Sequence, residues 1–418
     1  MAVINTILGL GASVIMPIVI FFLGVVFRMK VKNALRAGLT VGIGFIGINM
    51  AIGLISDNLG ELTKALQESW GLVLDITDIG WPAASGIAFG SGTFVFVSII
   101  TFLLVNVVCL LLKITHTLNV DIFNYWHFIF VGTASYFLSG NFVVGIVVGT
   151  VYMMVNTVLG ERQEHVITDF FGEQMSGITF ASHGFPGELL LSRGVNWVID
   201  KIPGLNKINF NLGNLPPSVA FFGEPMILGF LLGGGMGLLA GYGWDASLVI
   251  AVNLAAAMFL LPRMVSVMME GLAPLTDSAR EFMNARFPGK QFNISMDYCM
   301  MLGDRDVISM GIIMVPITLG LAAILPGNHF LPFTDLPSLP YHMIGAVIGT
   351  RRNSFRALIV AVITLSLALW VATDMAPQIT QMASSVGFAF EEGTTVSGLC
   401  AGFEWIGYLL HKLVSVAF

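Results

Sequence analysis

The sequence predicts an all-α polytopic membrane protein, and three observations support that prediction. Of its 418 residues, 56% are hydrophobic and only 11% are charged, with a mean hydropathy of +0.86. A soluble domain carries about 25% charged residues, so this chain has too little charge to cover a surface exposed to water. Apolar runs of membrane-spanning length recur along the chain, and residues 5–27 and 94–112 contain no charge at all.

The apolar runs predict ten main spans. The first run is too long for a signal-peptide core, and it lacks a preceding basic segment and a small-residue cleavage site, so it is predicted to be a retained helix. The predicted spans cover residues 5–27, 35–55, 94–112, 122–138, 141–159, 218–241, 246–262, 307–325, 338–350 and 355–373.

The positions of the basic residues predict the orientation in the membrane. If the first connection, which carries four basic residues between Arg28 and Arg36, is cytoplasmic, the amino terminus lies outside. Nearly all later arginines and lysines then fall inside, whereas Lys64 falls outside and Lys412 depends on the course of the carboxyl-terminal segment. This distribution follows the positive-inside rule.

Several chemistries lack support in the sequence. Cys109, Cys299 and Cys400 form no CxxC pair and lie in or beside apolar segments, so neither a disulfide framework nor a metal site is expected. No Walker loop, zinc motif or GxSxG is present, which leaves ATP-driven transport and intramembrane hydrolysis without support. No cofactor and no nucleic-acid partner are expected.

An internal repeat is visible in four amphipathic stretches that follow spans. They begin at Leu62-Thr63, Ile167-Thr168, Leu275-Thr276 and Ile379-Thr380. The interval from the first to the third nearly equals the interval from the second to the fourth, and the pair His127 and His342 has almost the same spacing. Chance is the alternative explanation, but the span count agrees with two copies, residues 1–212 and 213–418. Each copy holds five spans, an odd number, so the second copy must be inverted, as in transporters with a central site.

Four short polar segments follow the amphipathic stretches, and none is both long and apolar enough to be an ordinary span. They cover residues 78–93, 176–188, 293–304 and 391–405. Irregular backbone at membrane depth is tolerated only where protein or a water-filled cavity covers it. The four segments are therefore predicted to be re-entrant hairpins, two from each face, whose half-helix ends offer N–H and C=O groups to a polar ligand.

Ionisable residues in these hairpins are candidates for function, because burying charge at membrane depth is costly. His183 and Glu188, in the stretch ITFASHGFPGELLLSRG, are predicted to line a hydrated cavity. The alternative for Glu188 is an ion pair with Arg193 that orders the loop at the cytoplasmic face. Asp297 in the third hairpin is a candidate for the same reason, and its alternative role is a helix cap.

Four further residues are weighed against structural roles. Asn124 and His127 lie three residues apart on one helical face, although a buried core histidine with satisfied hydrogen bonds is a common alternative. Trp81 could stack on the C–H face of a substrate or belong to an interfacial tryptophan belt. Glu404 follows a glycine-rich hairpin and is expected to face the cavity.

Three long segments carry a family resemblance: SHGFPGELLLSRGVNWVIDKIPG (182–204), FFGEPMILGFLLG (221–233) and NISMDYCMMLGDRDV (293–307). With them, essentially the whole chain resembles the IIC component of a bacterial phosphoenolpyruvate-dependent sugar phosphotransferase system of the galactitol type, related to the ascorbate IIC permeases. The resemblance implies an inner-membrane homodimer in which a mobile core moves substrate against a scaffold by an elevator motion. It also implies phosphorylation of the incoming alditol by a separate IIB protein that bears a phosphocysteine.

The resemblance makes the chain the membrane subunit of a phosphotransferase with no autonomous catalysis, and IIB and an upstream IIA are expected as partners. A polyol site should combine carboxylate, amide and imidazole groups with an aromatic face. His183, Asp297 and Glu188, in that order, are the candidates for accepting the substrate hydroxyl proton. The predicted substrate-binding set is Trp81, Asn124, His127, His183, Glu188, Asp297 and Glu404.

A second function class stays open on the residues alone. In a proton-coupled secondary transporter, His183 and the carboxylates would carry protons, and the substrate would leave unmodified. Inverted repeats and re-entrant hairpins suit both classes, so the family resemblance is what favours group translocation. The pair Arg351-Arg352 is predicted to anchor the topology, with docking of the IIB partner as its alternative role.

Overall fold

Long helices dominate the chain, as the composition predicts. The computed structural model describes residues 12–70, 74–211, 221, 224–286, 292–302, 304–388 and 393–417. Five of the described helices are long and apolar enough to cross a membrane, which agrees with an all-α polytopic protein. Their apolar parts are Val31–Ile48, Thr93–Leu111, Phe142–Phe171, Arg305–Ile324 and Ser354–Ser385, and shorter apolar helices are Met226–Leu239, Trp244–Leu260 and Trp405–Ala417.

Seven of the described α-helices lie in the first half of the chain. They are α1 (Ala12–Val26), α2 (Val31–Trp70), α3 (Gly80–Gly90), α4 (Thr93–Leu111), α5 (Ile122–Ser139), α6 (Phe142–Phe171) and α7 (Phe185–Lys201). The second half has α8 (Pro225–Leu239), α9 (Trp244–Arg286), α10 (Arg305–Ile324), α11 (Leu339–His342), α12 (Ile344–Gly349), α13 (Ser354–Ser385), α14 (Leu399–Gly402) and α15 (Trp405–Ala417). Short 3-10 helices cover Glu173–Met175, Leu205–Lys207, Tyr298–Met301 and Leu336–Ser338.

Each predicted span overlaps a described helix, although residues 5–11, 218–220, 222 and 223 of these spans lie outside the described residues. The span predicted at 338–350 is not one helix, because it is divided at Met343 into α11 and α12. The four amphipathic stretches are continuations of the preceding helices, since α2, α6, α9 and α13 run for 40, 30, 43 and 32 residues. A change from apolar to polar side chains alters the solvent that a helix prefers and leaves its backbone hydrogen bonds intact.

Short polar side chains fix where several helices begin. The carboxylate of Asp121 accepts a hydrogen bond from the second residue of α5, and Asp304 does the same at α10. The amide oxygens of Asn141 and Asn353 accept from first-turn N–H groups of α6 and α13. These side chains satisfy donors that a helix start leaves without an intrahelical partner.

The predicted hairpins open with short β-strands, which the sequence analysis did not foresee. The strands are β1 (Ile76–Asp78), β2 (Thr117–Leu118), β3 (Ile178–Phe180), β4 (Asn293–Met296) and β5 (Thr395–Ser397). β1 pairs in parallel with β5, and β4 lies between β2 and β3, also in parallel. Each sheet therefore joins two hairpins that the sequence places on the same side of the membrane.

The strands of the two sheets recur at a nearly constant interval along the chain. The interval along the chain from the start of β1 to the start of β4 equals the interval from the start of β3 to the start of β5. Ile76 of β1 also forms a parallel bridge with Phe330. Phe330 follows the start of β2 by almost the interval that separates β1 from β4, so its place beside β1 matches the place of β2 beside β4. Each sheet thus pairs a hairpin strand from the first half of the chain with one from the second half: β1 with β5 in one sheet, and β3 with β4 in the other.

The helix α5 lies in the interior of the protein. Every residue from 124 to 135 is buried, so this part of α5 is covered by protein on all sides. A helix that is covered on all sides is an interior element of a large protein. The hairpin segments pack around α5 and α11, and this packing defines the candidate site.

Candidate functional site

A cavity of about 400 Å³ lies where the four predicted hairpin segments meet. The segments contribute Trp81 and Pro82, His183, Asp297, and Cys400 respectively. This volume lies within the roughly 300–1,000 Å³ that small-molecule sites occupy. The third segment also contributes Leu302, and the other lining residues are Phe123, Trp126, His127, Met258, Ile308, Thr334, Pro337, Ser338, Pro340, Tyr341 and His342.

The structure brings together four of the seven residues predicted to bind substrate. Trp81, His127, His183 and Asp297 line the cavity. The remaining three, which do not line it, are Asn124, Glu188 and Glu404. All three are buried, and each makes a different set of contacts.

His183 is held in a fixed orientation by its backbone and by its ring. Its φ of 54° lies in the left-handed region, and its carbonyl oxygen accepts from Asn156 Nδ2 at 2.7 Å. The ring Nε2 lies 2.9 Å from the carbonyl oxygen of Cys400, which can only accept, so Nε2 is the protonated nitrogen. Nδ1 then accepts from the Tyr298 hydroxyl at 3.3 Å.

His127 and Glu404 form a close buried pair behind the cavity wall. His127 Nδ1 lies 2.6 Å from Glu404 Oε1, and both side chains are only 1% exposed. The hydroxyl of Tyr152 donates to the other carboxylate oxygen of Glu404. Glu404 therefore contacts a residue that lines the cavity, rather than facing the cavity itself as the sequence led us to expect.

His127, His183 and Glu404 also place their possible ligand atoms within 4.8 Å of one another. A metal ligand needs a free lone pair on nitrogen. Because His183 Nε2 donates to the Cys400 carbonyl, it has no lone pair to offer in this arrangement. The three side chains are therefore interpreted as a hydrogen-bonded cluster.

Asp297 is connected to both walls of the cavity. Its backbone N–H donates to the carboxylate of Asp121 at 3.0 Å, and the Tyr341 hydroxyl donates to its Oδ2 at 3.2 Å. The side chain is mostly buried, at 5% exposure, although it lines the cavity. A buried carboxylate needs such donors, because an unpaired charge in a protein interior is strongly unfavourable.

Glu188 occupies a different position from the one predicted. Its buried carboxylate lies against the first turn of α12, whose backbone N–H groups have no acceptor within the helix, and a Cβ atom at Gly345 would come within 2.6 Å of Oε2. The division of the predicted span at Met343 exposes these donors, and a carboxylate favours a helix amino terminus. Arg193 is exposed, and no ion pair joins it to Glu188 in the described chain.

Asn124 connects two elements of the cavity wall. Its side-chain amide donates to Asn119 Oδ1 at 3.1 Å and to Ser295 Oγ at 3.0 Å. Ser295 belongs to β4, so Asn124 links α5 to the third hairpin. Its position on the same helical face as His127 was predicted, but its amide is used within the protein.

The sequence did not identify Trp126, Tyr341 and His342, which line the cavity, or Tyr298, which contacts the lining residues His183 and Tyr341. Tyr298 and Tyr341 are stacked with ring centroids 4.1 Å apart, and His342 is stacked on Phe403 at 4.2 Å. Neither ring nitrogen of His342 has a hydrogen-bond partner among the described residues. The spacing between His127 and His342, which is close to that of the repeated stretches, was the signal that could have identified His342.

A cluster of charges ties together connections at one end of the long helices. Arg352 pairs with Asp304 at 2.8 Å and with Asp306. Partial burial lowers the pKa of Arg352, but the hydrogen bonds that its guanidinium donates to the two carboxylates outweigh this and raise the pKa. Arg356 pairs with Asp200 at 2.6 Å, which joins the start of α13 to the end of α7. Arg351 is exposed.

A buried cavity with imidazole, carboxylate and aromatic groups, at the centre of a multi-pass helical protein, defines a membrane transport protein for a small polar solute. The chain matches the family described as "PTS system sugar-specific permease component" over residues 6–393. It therefore belongs to this family of phosphotransferase-system permeases, which confirms the resemblance to galactitol-type IIC components, and it is a multi-pass protein of the bacterial inner membrane.

Two relatives from Escherichia coli strain K12 are similar over nearly their whole length. The "PTS system galactitol-specific EIIC component" is 36% identical over 413 residues, which cover 99% of this chain and 91% of the relative. A "Putative permease IIC component" is 34% identical over 415 residues, which cover 98% of this chain and 93% of the relative.

Proposed function

We propose that this chain binds galactitol or a related alditol from outside the cell and presents it to a phosphorylated cytoplasmic IIB protein. The observation that carries this proposal is the cavity, to which all four hairpin segments and two interior helices contribute. The similarity to a galactitol-specific component supports the choice of substrate class.

The lining residues suit an uncharged polyol. His127, His183, His342 and Asp297 offer donors and acceptors for hydroxyl groups, and Trp81 offers an aromatic face for C–H groups. No lysine or arginine is present among the described residues that line the cavity. A site for an anionic substrate would be expected to contain such a charge.

The chain is proposed to consist of two inverted copies, residues 1–212 and 213–418, whose boundary lies outside the described residues. The equivalent composition of the two sheets supports this organisation. The division also fits an elevator, because α1, α2, α8 and α9 pack mainly against one another. Apart from Met258 of α9, the described residues that line the cavity all lie outside these four helices. The four helices would therefore form the scaffold of a homodimer, and the rest of the chain would form the mobile core.

Phosphorylation would take place when the core presents the alditol to the cytoplasm. A phosphocysteine of IIB, charged by IIA, would supply the phosphoryl group, and this chain would supply the position of the acceptor hydroxyl. Positioning and charge stabilisation account for most of the catalysis of phosphoryl transfer. The chain would thus act as the membrane subunit of a phosphotransferase and have no activity alone.

Reconstituted vesicles test the proposal. With this chain alone, uptake of labelled galactitol should be slow and should yield no sugar phosphate, whereas phosphorylated IIB on the cytoplasmic side should produce alditol phosphate. Concentrative uptake of unmodified galactitol, driven by a proton gradient without IIB, would instead identify a secondary transporter.

A further inference from the structure

We propose that His127 accepts the proton of the substrate hydroxyl during phosphoryl transfer and that Glu404 is the positioning residue which makes this possible. The inference rests on the proposed function and assigns a proton acceptor to it. It differs from the order predicted from the sequence, in which His183, Asp297 and Glu188 were the candidates.

The hydrogen bond between His127 and Glu404 fixes the tautomer of the imidazole. At 2.6 Å from a carboxylate oxygen, Nδ1 is the nitrogen that carries the hydrogen, so Nε2 carries a lone pair. Nε2 is buried and has no hydrogen-bond partner among the described residues, while the ring of His127 lines the cavity. A carboxylate that holds an imidazole with its free nitrogen toward the substrate is the arrangement of a general base.

Glu404 is itself held in place, so it can orient the imidazole firmly. Its carboxylate is fully buried and accepts from the Tyr152 hydroxyl on the side away from His127. When His127 takes a proton, the adjacent negative charge stabilises the imidazolium that forms. The carboxylate needs no proton of its own for this role.

His183 and Glu188 are less well placed to accept the proton. His183 uses Nε2 as a donor to Cys400, and its Nδ1 faces the Tyr298 hydroxyl at 3.3 Å. Glu188 lies against the first turn of α12 and does not line the cavity. Among the histidines of the cavity wall, His127 combines a free ring nitrogen with a carboxylate that stabilises the charged form.

The transfer step balances without a further reactant. The substrate hydroxyl oxygen attacks the phosphorus of the phosphocysteine, the O–P bond forms and the P–S bond breaks. The cysteine thiolate of IIB leaves with the electron pair of the P–S bond. The hydroxyl proton moves to Nε2 of His127 and is released to solvent after the product departs.

His342 provides a comparison within the same cavity. It follows His127 by nearly the spacing of the repeated stretches, lines the cavity and has two ring nitrogens without partners among the described residues. Its ring is stacked on Phe403 instead of being held by a carboxylate. Both ends of an alditol carry a primary hydroxyl, so we infer that only the hydroxyl beside His127 becomes phosphorylated.

The test separates binding from transfer in three variants. Glu404→Gln should still bind galactitol, because the amide can donate to Nδ1 of His127 and leave Nε2–H as a donor to the substrate. Its single-turnover rate with phosphorylated IIB should fall by about 100-fold or more, which is the size of a general-base contribution. His127→Gln should show the same loss of rate, whereas His329→Gln, which alters a histidine paired with Asp75 away from the cavity, should bind and transfer at the wild-type rate.

The outcomes distinguish this inference from the proposed function. If wild-type protein forms alditol phosphate and both Glu404→Gln and His127→Gln transfer at the wild-type rate, the pair is not the base and the proposed function stands. If Glu404→Gln fails to bind galactitol, His127→Gln decides, and a wild-type rate in that variant overturns the inference. If wild-type protein forms no sugar phosphate with phosphorylated IIB, both proposals fail.

Discussion

The backbone N–H of Asp297 donates a hydrogen bond of 3.0 Å to the carboxylate of Asp121. An equivalent bond of 2.8 Å joins the backbone N–H of Trp81 to the carboxylate of Asp335. The interval along the chain between the two donors nearly equals the interval between the two acceptors. Each carboxylate precedes a helix that lines the cavity, so each bond fixes a hairpin against one cavity wall.

The bond at Asp121 leads to the first prediction. Its two carboxylate oxygens accept from Phe123 and Asp297, so Asp121→Asn would place an amide NH₂ against one of these N–H donors. Hydrogen bonds to a charged group contribute roughly 1.5–3 kcal/mol, and the variant should unfold at a lower temperature in detergent and bind galactitol more weakly.

A matched control is available at the protein surface. Asp374 pairs with Lys412 at 2.6 Å, but both side chains are about two-fifths exposed, at 41% and 42%. Exposed ion pairs contribute about 0–1 kcal/mol, so Asp374→Asn should change the unfolding temperature little. Equal stability of Asp121→Asn and wild-type protein would contradict the role given to Asp121.

The sequence predicts the helices and the polar segments well, because both are continuous in the chain. Apolar length identified helices such as α4 and α10, and interrupted polarity identified the segments that reach the cavity. The strands could not be predicted, because each has only two to four residues and its partner lies far away in sequence. Strand pairing at that separation depends on how the helices pack.

For the site, the sequence identifies which residue types are candidates but not which of their side chains face the cavity. Trp81 was predicted for the aromatic face that it could offer, and His127, His183 and Asp297 were predicted from the cost of burying ionisable groups. All four line the cavity. Glu188 was predicted on the same grounds and lies elsewhere, because its partner is the helix start created by the break at Met343. That break lies far from Glu188 in the sequence, so the residues around Glu188 could not predict it.

Glu188 provides the second prediction. Glu188→Ala should lower the unfolding temperature, since the amino-terminal turn of α12 loses the carboxylate that lies against it, an interaction of roughly 0.3–2 kcal/mol. Glu188→Gln keeps one acceptor oxygen and should be intermediate. Both folded variants should phosphorylate galactitol at the wild-type rate when substrate and phosphorylated IIB are saturating. A stable Glu188→Gln protein without transfer activity would restore Glu188 as a candidate catalytic residue.

Gly184, directly after His183, is the subject of the third prediction. A Cβ atom at this position would lie 1.7 Å from the carbonyl oxygen of Phe403, so the second and fourth hairpins could not approach as they do. Gly184→Ala should therefore separate the two hairpins and greatly reduce galactitol binding, as measured by titration calorimetry on purified protein.

The control for that substitution lies ten residues further along the chain. Gly194 is an exposed position within α7, and a Cβ atom there would meet nothing within 4 Å. Gly194→Ala should leave binding unchanged and stabilise the helix by roughly 0.5–1 kcal/mol. If the two alanine variants bind galactitol equally well, the close approach at Gly184 is not needed for the site.

The last prediction concerns orientation, and the contacts of α13 make it sharper. Arg356, at the start of α13, pairs with Asp200, whereas Asp374 pairs with Lys412. Eighteen residues of helix separate Arg356 from Asp374, and at a rise of about 1.5 Å per residue they span nearly the thickness of a hydrocarbon core. With the amino terminus outside, the connection near Asn209 should be cytoplasmic, and Pro326 and Lys412 should lie outside.

Both Asn209 and Pro326 are exposed, so each can be replaced by cysteine in a variant whose three native cysteines are alanine. On intact cells an impermeant maleimide should label Pro326→Cys, and Asn209→Cys should react only after permeabilisation. The reverse pattern would invert the whole topology and place the IIB-facing side at the opposite end of the cavity.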